Sequence, residues 1–395
     1  MSSRNLPYLL RRSTGISWSP ATPARSLRFL QPMDSEIYRL PRERLDALVE
    51  RLGREYRVVG PVKPGATWVW TDVRPGTPLA LDYPTSMLPP RQFFAPPRET
   101  LFTYRRDGDG RFAFEQPPAE RPVALIGVHG CDLTSLRVLR AFHESSCRDR
   151  LVPGRLDRSL VVGLACWTPC LPESFCRDMG SLEAESPASL YMWDLGSVLL
   201  VRVQSPRGRE VLRDATVLEA ATPDELVALR KRLRARPEAF PVRLQFAPDK
   251  LATSLKAAEA DILWEATADR CLSCGRCNLV CPTCTCFDVC DQAALSGGTG
   301  TRQRSWTGCQ VPGFSKVAGG HDFRPTRAQQ LRYRIFRKGK YMPERCGIVG
   351  CTGCGRCATH CPTHISIRDI FVQVGGGTAA GTAAGGAAVA GGKAP

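Results

Sequence analysis

The sequence predicts an α+β chain: a mixed α/β domain over residues 31–250, then a mainly helical and loop domain over 251–374. Three observations carry this. Short apolar runs rich in Val and Leu, VALIGV (123–128), LVVGLA (160–165) and VLLVRV (198–203), read as buried strands. Segments of helical periodicity alternate with them. From about residue 250 the composition shifts, and seven of the twenty residues CLSCGRCNLVCPTCTCFDVC (271–290) are cysteine.

The elements follow in order. Residues 1–30 read as a loosely held arm. SEIYRLPRERLDALVERLGRE (35–55) carries apolar residues at helical spacing, which predicts a helix. LTSLRVLRAF (133–142) is a helix that begins straight after the first apolar run. PDELVALRKRLRA (223–235) is another, with Asp224 in its first turn, where the helix dipole favours an anion. LATSLKAAEADILWEA leads as a helix into the cysteines, and loops and short helices are expected from there to about 372. GGGTAAGTAAGGAAVAGGKAP (375–395) has no periodicity and nothing to bury, so it reads as a disordered tail.

Composition sets bounds. A chain of 395 residues with 43% hydrophobic content can bury a core in two or three domains. The net charge of +16 suits an acidic protein partner, a nucleotide or a nucleic acid without choosing among them. Only 8 of the 54 basic residues are lysine, so part of this bias reflects arginine usage rather than function. The first 32 residues lack the apolar core of roughly 7–15 residues that a secretory signal needs, and nothing apolar follows Arg11–Arg12. No stretch approaches the ~18 apolar residues of a membrane helix. These features predict a cytoplasmic chain without membrane insertion, in which thiols stay reduced. Disulfides between neighbours two or three residues apart would constrain almost nothing. Cysteines this dense in a reducing compartment hold metal.

The cysteine pattern is doubled. C271-x2-C274-x2-C277-x3-C281-P recurs as C351-x2-C354-x2-C357-x3-C361-P, and the filler Cys-Gly-Arg-Cys and Cys-Pro-Thr recurs with it. Three thiols at two-residue gaps wrap three corners of a cubane, and the backbone N–H groups of that turn point at its sulfurs. The fourth cysteine, before proline, serves the other cluster in two-cluster ferredoxins. This predicts cluster I on Cys271, Cys274, Cys277 and Cys361, and cluster II on Cys351, Cys354, Cys357 and Cys281. Zinc is the alternative, but structural zinc sites take two ligands from each paired CxxC and have no use for three evenly spaced thiols plus CP. Arg276 and Arg356 sit beside ligands in both copies. Their charge would favour a reduced cluster, or they are simply solvated.

Other thiols remain. Cys131 opens a helix after VALIGV, Cys166 ends LVVGLA, and Cys170 and Cys176 follow shortly. Two strand-end loops can bring these four together for a third [4Fe–4S] cluster, against the simpler reading of free buried thiols. Cys284, Cys286, Cys290 and Cys309 are open between buried thiols and supplementary ligands, and Cys147 reads as structural. The segment HDFRPTRAQQLRYRIFRKGKY (321–341) holds seven Arg and Lys residues and reads first as a solvated helix face, with nucleic-acid contact or docking to an acidic partner as alternatives. No G-x-x-x-x-G-K-[ST], no G-x-G-x-x-G after a strand and no H-E-x-x-H is present, so no flavin, nicotinamide or separate catalytic constellation is expected.

Together these residues resemble the 4Fe–4S dicluster subunits typified by the sulfhydrogenase beta subunit and its counterpart, the electron-transfer subunit of anaerobic sulfite reductase. The resemblance rests on RQFFAPPRETLFTY (91–104), IGVHGCDL (126–133), VGLAC…FCRDMG (162–180), CLSCGRCNLVCPTCTCFDV (271–289), SWTGCQVPGFSKVAGGHDFRPTRAQQLRYRIFRK (305–338) and CTGCGRCATHCPTHISI (351–367). It implies an electron relay between a flavin–nicotinamide subunit and a catalytic subunit, either a nickel–iron hydrogenase or a sirohaem sulfite reductase. It also implies that Cys131, Cys166 and Cys176 take part in an extra cluster. Two departures stand out. The family tends to read Cys-Phe-Cys where this chain has Ser174-Phe175-Cys176, so Cys170 would supply the missing thiol. It tends to read Trp-Asp-x-Cys where this chain has Trp306-Thr307-Gly308-Cys309. Two further classes compete: a self-sufficient reductase with one open cluster site, motivated by the surplus thiols, and a zinc-based nucleic-acid binder, motivated by the basic segment.

Overall fold

The computed structural model describes residues 37–145, 149–213, 217–295 and 297–376. The expected arm at 1–30, Cys147 and nearly all of the expected tail lie outside these residues. The fold is α+β, with a mixed sheet in the first part and a ferredoxin-like domain in the second. No described helix is long and apolar enough to cross a membrane.

The strands are β1 (Ile37–Pro41), β2 (Arg57–Val62), β3 (Val69–Asp72), β4 (Arg98–Arg106), β5 (Phe112–Glu115), β6 (Val123–His129), β7 (Leu160–Leu164), β8 (Leu190–Asp194), β9 (Val198–Val203), β10 (Glu219–Ala220), β11 (Phe287–Ala293) and β12 (Thr299–Trp306). Eight of them form one sheet in the order β10-β1-β9-β8-β7-β6-β2-β3. The three apolar runs are its centre. Every residue of β6 and β7 is buried, as parallel strands covered on both faces require. Because β6 and β7 are parallel neighbours, both chain ends leave the sheet on one edge. The helix Gly130–Ser145 begins directly on β6, and the segment carrying Cys166, Cys170 and Cys176 leaves β7.

Two expectations need correction. The helical pattern at 35–55 is split: Ile37–Pro41 is a strand between β9 and β10, and the helix spans only Leu45–Gly53. Pro41 has no N–H to give, and the apolar residues before it are buried more strongly by the sheet than by a helix face. The second part is also less purely helical than expected. β11 and β12 form a hairpin, and β12 pairs antiparallel with β4, completing a second sheet in the order β11-β12-β4-β5. The segments on either side of residue 250 are thus joined by backbone hydrogen bonds.

Helices Leu251–Ala257, Leu263–Ala268, Arg327–Phe336 and Ile367–Val374 enclose a second core of Leu251, Leu255, Trp264, Ile335, Phe336, Ile370 and Phe371. Helix Arg327–Phe336 starts from a capping box, in which Thr326 Oγ1 accepts from Gln329 N and Thr326 N donates to the Gln329 side chain. That box fixes the angle at which Arg334 and Lys338 enter the interior.

Candidate metal centre

The doubled run builds two similar loops. Ser273 and Gly275 in the first, and Gly353 and Gly355 in the second, all have positive φ, between 49° and 77°. Successive left-handed residues turn backbone N–H groups inward, forming an anion-binding concavity. Ser273 N donates to Cys271 Sγ at 3.4 Å. The repeated Cys-Pro-Thr has its own reason: Thr283 Oγ1 lies 3.3 Å from Cys281 Sγ, and Thr363 Oγ1 lies 3.5 Å from Cys361 Sγ. The Gly353 and Gly355 positions are also tight. A Cβ on Gly353 would sit 2.7 Å from backbone atoms of Phe175 and Cys176, and one on Gly355 would sit 2.8 Å from the Glu173 carbonyl carbon.

Two cavities lie against these loops. Cys271, Cys274, Cys277 and Cys361 line one, which also reaches Cys357. Cys281, Cys351, Cys354 and Cys357 line the other. Each cavity therefore takes three thiols from one run and the pre-proline thiol from the other. Cys274 is exposed, whereas Cys281 is buried. Burial pushes the Cys277 thiol up to about 12 and Cys354 to about 11, so without metal these sulfurs stay protonated.

Buried cations surround the thiols. Arg334 (4% exposed) borders both cavities and donates to Cys277 O at 3.1 Å. Lys338 (3% exposed) borders the second and donates to Thr283 Oγ1 at 2.8 Å. Among the described residues neither has a carboxylate at ion-pair distance. A buried cation without a counter-charge is strongly unfavourable. An iron–sulfur cluster of net charge about −2 supplies that counter-charge, so the donor set and its electrostatics fit the group. The reading of 321–341 as a solvated face is corrected here. The segment is amphipathic by charge, with Arg334 and Lys338 inside and Arg327 and Arg332 at the surface.

Arg276 and Arg356, equivalent in the repeat, differ completely. Arg276 is exposed. Arg356 is fully buried and makes a two-bond ion pair with Asp132, 2.7 and 2.8 Å, while its Nε donates to Ser86 O at 2.9 Å. Asp132 adjoins Cys131, so this pair ties the second loop to the first helix of the sheet.

The third thiol group lies where β6 and β7 deliver it. Cys131 and Cys176 are buried together with Leu182 and Phe240, and Cys166 and Cys354 pack against them. Cys166, Cys170 and His129 bring their ligand atoms within 4.8 Å of one another, with Cys170 Sγ 3.6 Å from His129 Nδ1. Ser174 is turned away from this group, its hydroxyl donating to Cys354 O at 3.3 Å. Sequence reasoning missed His129, although it stands in the quoted IGVHGCDL, and missed Asp132, Arg334 and Lys338. A His between a strand and a cysteine was the available signal.

None of the seventeen described cysteines forms a disulfide. Reduced thiols in doubled loops, around cavities with uncompensated buried cations, define a two-cluster iron–sulfur protein. A family model described as a 4Fe-4S dicluster domain matches residues 270–365. The chain is 32% identical over 333 residues to "Sulfhydrogenase 2 subunit beta" of Pyrococcus furiosus, covering 82% of this chain and 94% of that protein. The chain belongs to the 4Fe–4S dicluster family of sulfhydrogenase beta subunits, and is an iron–sulfur electron-transfer subunit. No solved structure matches it.

Proposed function

We propose that the protein relays single electrons between a flavin/NAD(P)-type subunit and a catalytic subunit, either a hydrogenase or a sulfite reductase, within a cytoplasmic complex. The observation that carries this is the chaining of the three thiol groups. Cys357 borders both ferredoxin-type cavities, and Cys354 packs against the third group. A path of sulfur thus runs from exposed Cys274 inward to Cys170, whose loop borders an open groove with Trp167 and Arg232.

Cluster I is assigned to Cys271, Cys274, Cys277 and Cys361, cluster II to Cys351, Cys354, Cys357 and Cys281, and a third [4Fe–4S] cluster to Cys131, Cys166, Cys170 and Cys176. When bound, such clusters supply one-electron chemistry at potentials tuned by charge, burial and hydrogen bonds to sulfur. The chain's own residues do that tuning: Arg334 and Lys338 hold positive charge by clusters I and II, and Arg276 lies at the exposed rim of the first loop. The division at residue 250 is then functional, with the relay pair after it and the third station before it.

Affinity capture of the full chain from its native host under anaerobic conditions tests the reading. It should bring down a flavin- or nicotinamide-binding subunit together with a hydrogenase or sulfite reductase subunit. The purified chain alone should not reduce sulfite with an artificial donor. Capture of neither kind of partner, or turnover by the isolated chain, would remove the relay assignment.

A further inference from the structure

Three buried or half-buried thiols remain outside the groups above: Cys284, Cys286 and Cys309. They are brought to one place by separate pieces of chain. Asn278, itself 1% exposed, directs its Nδ2 at Cys284 Sγ (3.6 Å) and at Cys309 Sγ (3.5 Å). The amide orientation is set by Gln310 N, which donates to Asn278 Oδ1 at 3.1 Å. Gly308 makes the approach possible, because a Cβ there would clash with Asn278 Cγ. Cys284 and Cys286 in turn line a cavity of about 300 Å³, close to the about 340 Å³ of the cavity assigned to cluster II.

The wall of this cavity is cationic. Arg91, 2% exposed, lies over the Trp306 ring at 3.7 Å and donates to Cys284 O. Its Nε has no hydrogen-bond partner, and among the described residues no carboxylate pairs with it. Arg337 donates to Thr285 Oγ1 at 2.6 Å, between the two cysteines. A core of plain thiols offers such cations nothing to balance them. A single tetrahedral ion would draw its sulfurs to roughly 4 Å of one another. Among the described residues, only His129, Cys166 and Cys170 approach that closely. The wider spacing here is shared with the thiols of the two ferredoxin-type cavities.

We propose that Cys284, Cys286 and Cys309 hold a further [4Fe–4S] cluster, with His143 as its fourth, non-cysteine ligand. His143 lines the same cavity, and its Nδ1 is taken by Asp149 Oδ2 at 3.1 Å, which leaves Nε2 as the nitrogen free to bind. A carboxylate holding the far nitrogen of a ligating imidazole is the usual support for such a ligand. The site lies beside Cys281, so it would branch from the relay at cluster II.

The test uses the full chain, purified anaerobically. Against the wild type, Cys284→Ser/Cys286→Ser/Cys309→Ser should lose about four irons and four sulfides, and should keep the spectra of the ferredoxin-type pair. His143→Gly should keep that iron but change the cluster's electron paramagnetic resonance, and added imidazole should reverse the change. Cys290→Ser, on an exposed strand, should change neither. Retention of all iron by the triple variant would overturn the proposal, and so would loss of one zinc in place of four irons. If the triple variant does not fold, Cys286→Ser alone decides, because that side chain is only half-buried. Unchanged iron and spectra there would equally overturn it.

Discussion

At the residue scale, the repeat places one arginine twice and gives it two different jobs. Arg276 faces solvent, while Arg356 is buried against Asp132. Breaking a buried pair leaves an uncompensated charge and costs about 3–5 kcal/mol, so Asp132→Asn should lower the unfolding temperature clearly, and Arg276→Glu should not. Equal melting of Asp132→Asn and wild type would show that the pair is not the tie described here. Arg334 is the second case. Its positive charge favours the more negative, reduced form of both neighbouring clusters, so Arg334→Gln should shift their midpoint potentials downward in a redox titration. Unshifted potentials would rule out the tuning role. Neither arginine's environment is legible in the sequence, because a charged residue declares its burial only through partners far along the chain: 224 residues separate Asp132 from Arg356.

At the element scale, the cysteine loops were the most legible part of the chain, because their spacing is dictated by the object they enclose. The three apolar strands were legible for a similar reason, since only burial on both faces explains them. Strand β1 was not, because five residues of mixed burial fit a helix face as well as a sheet edge, and only its pairing with β9 decides. The β11–β12 hairpin was hidden because its strands are largely exposed and polar, held by pairing to β4 rather than by a core. Close packing of the second loop gives a prediction at this scale. Gly355 has φ 77° and no room for a Cβ against Glu173 and Ser174. A left-handed non-glycine residue costs about 1–2 kcal/mol before any clash. Gly355→Ala should therefore lose about four irons, those of cluster II, while Gly376→Ala, at φ 82° with open space around it, should lose none. Equal iron in the two variants would contradict the packing argument.

At the scale of the whole molecule, the account rests on the chain folding back so that each run completes the other's site. The sequence predicted which cysteines would share a cavity, since the pre-proline position has a known geometric consequence. It left the fates of Cys284, Cys286 and Cys309 open, because the residues that gather them, Asn278 and Arg91, carry no motif. The same folding back sets Cys357 between two cavities and Cys354 against the third thiol group, which makes a relay of what would otherwise be separate sites. One measurement tests this most directly: electron paramagnetic resonance of the reduced full chain in four single variants. Cross-completion predicts that Cys281→Ser reproduces the spectrum of Cys354→Ser, and that Cys361→Ser reproduces that of Cys274→Ser. If Cys281→Ser instead matched Cys274→Ser, and Cys361→Ser matched Cys354→Ser, each run would hold its own cluster and the relay built on their interlocking would be contradicted.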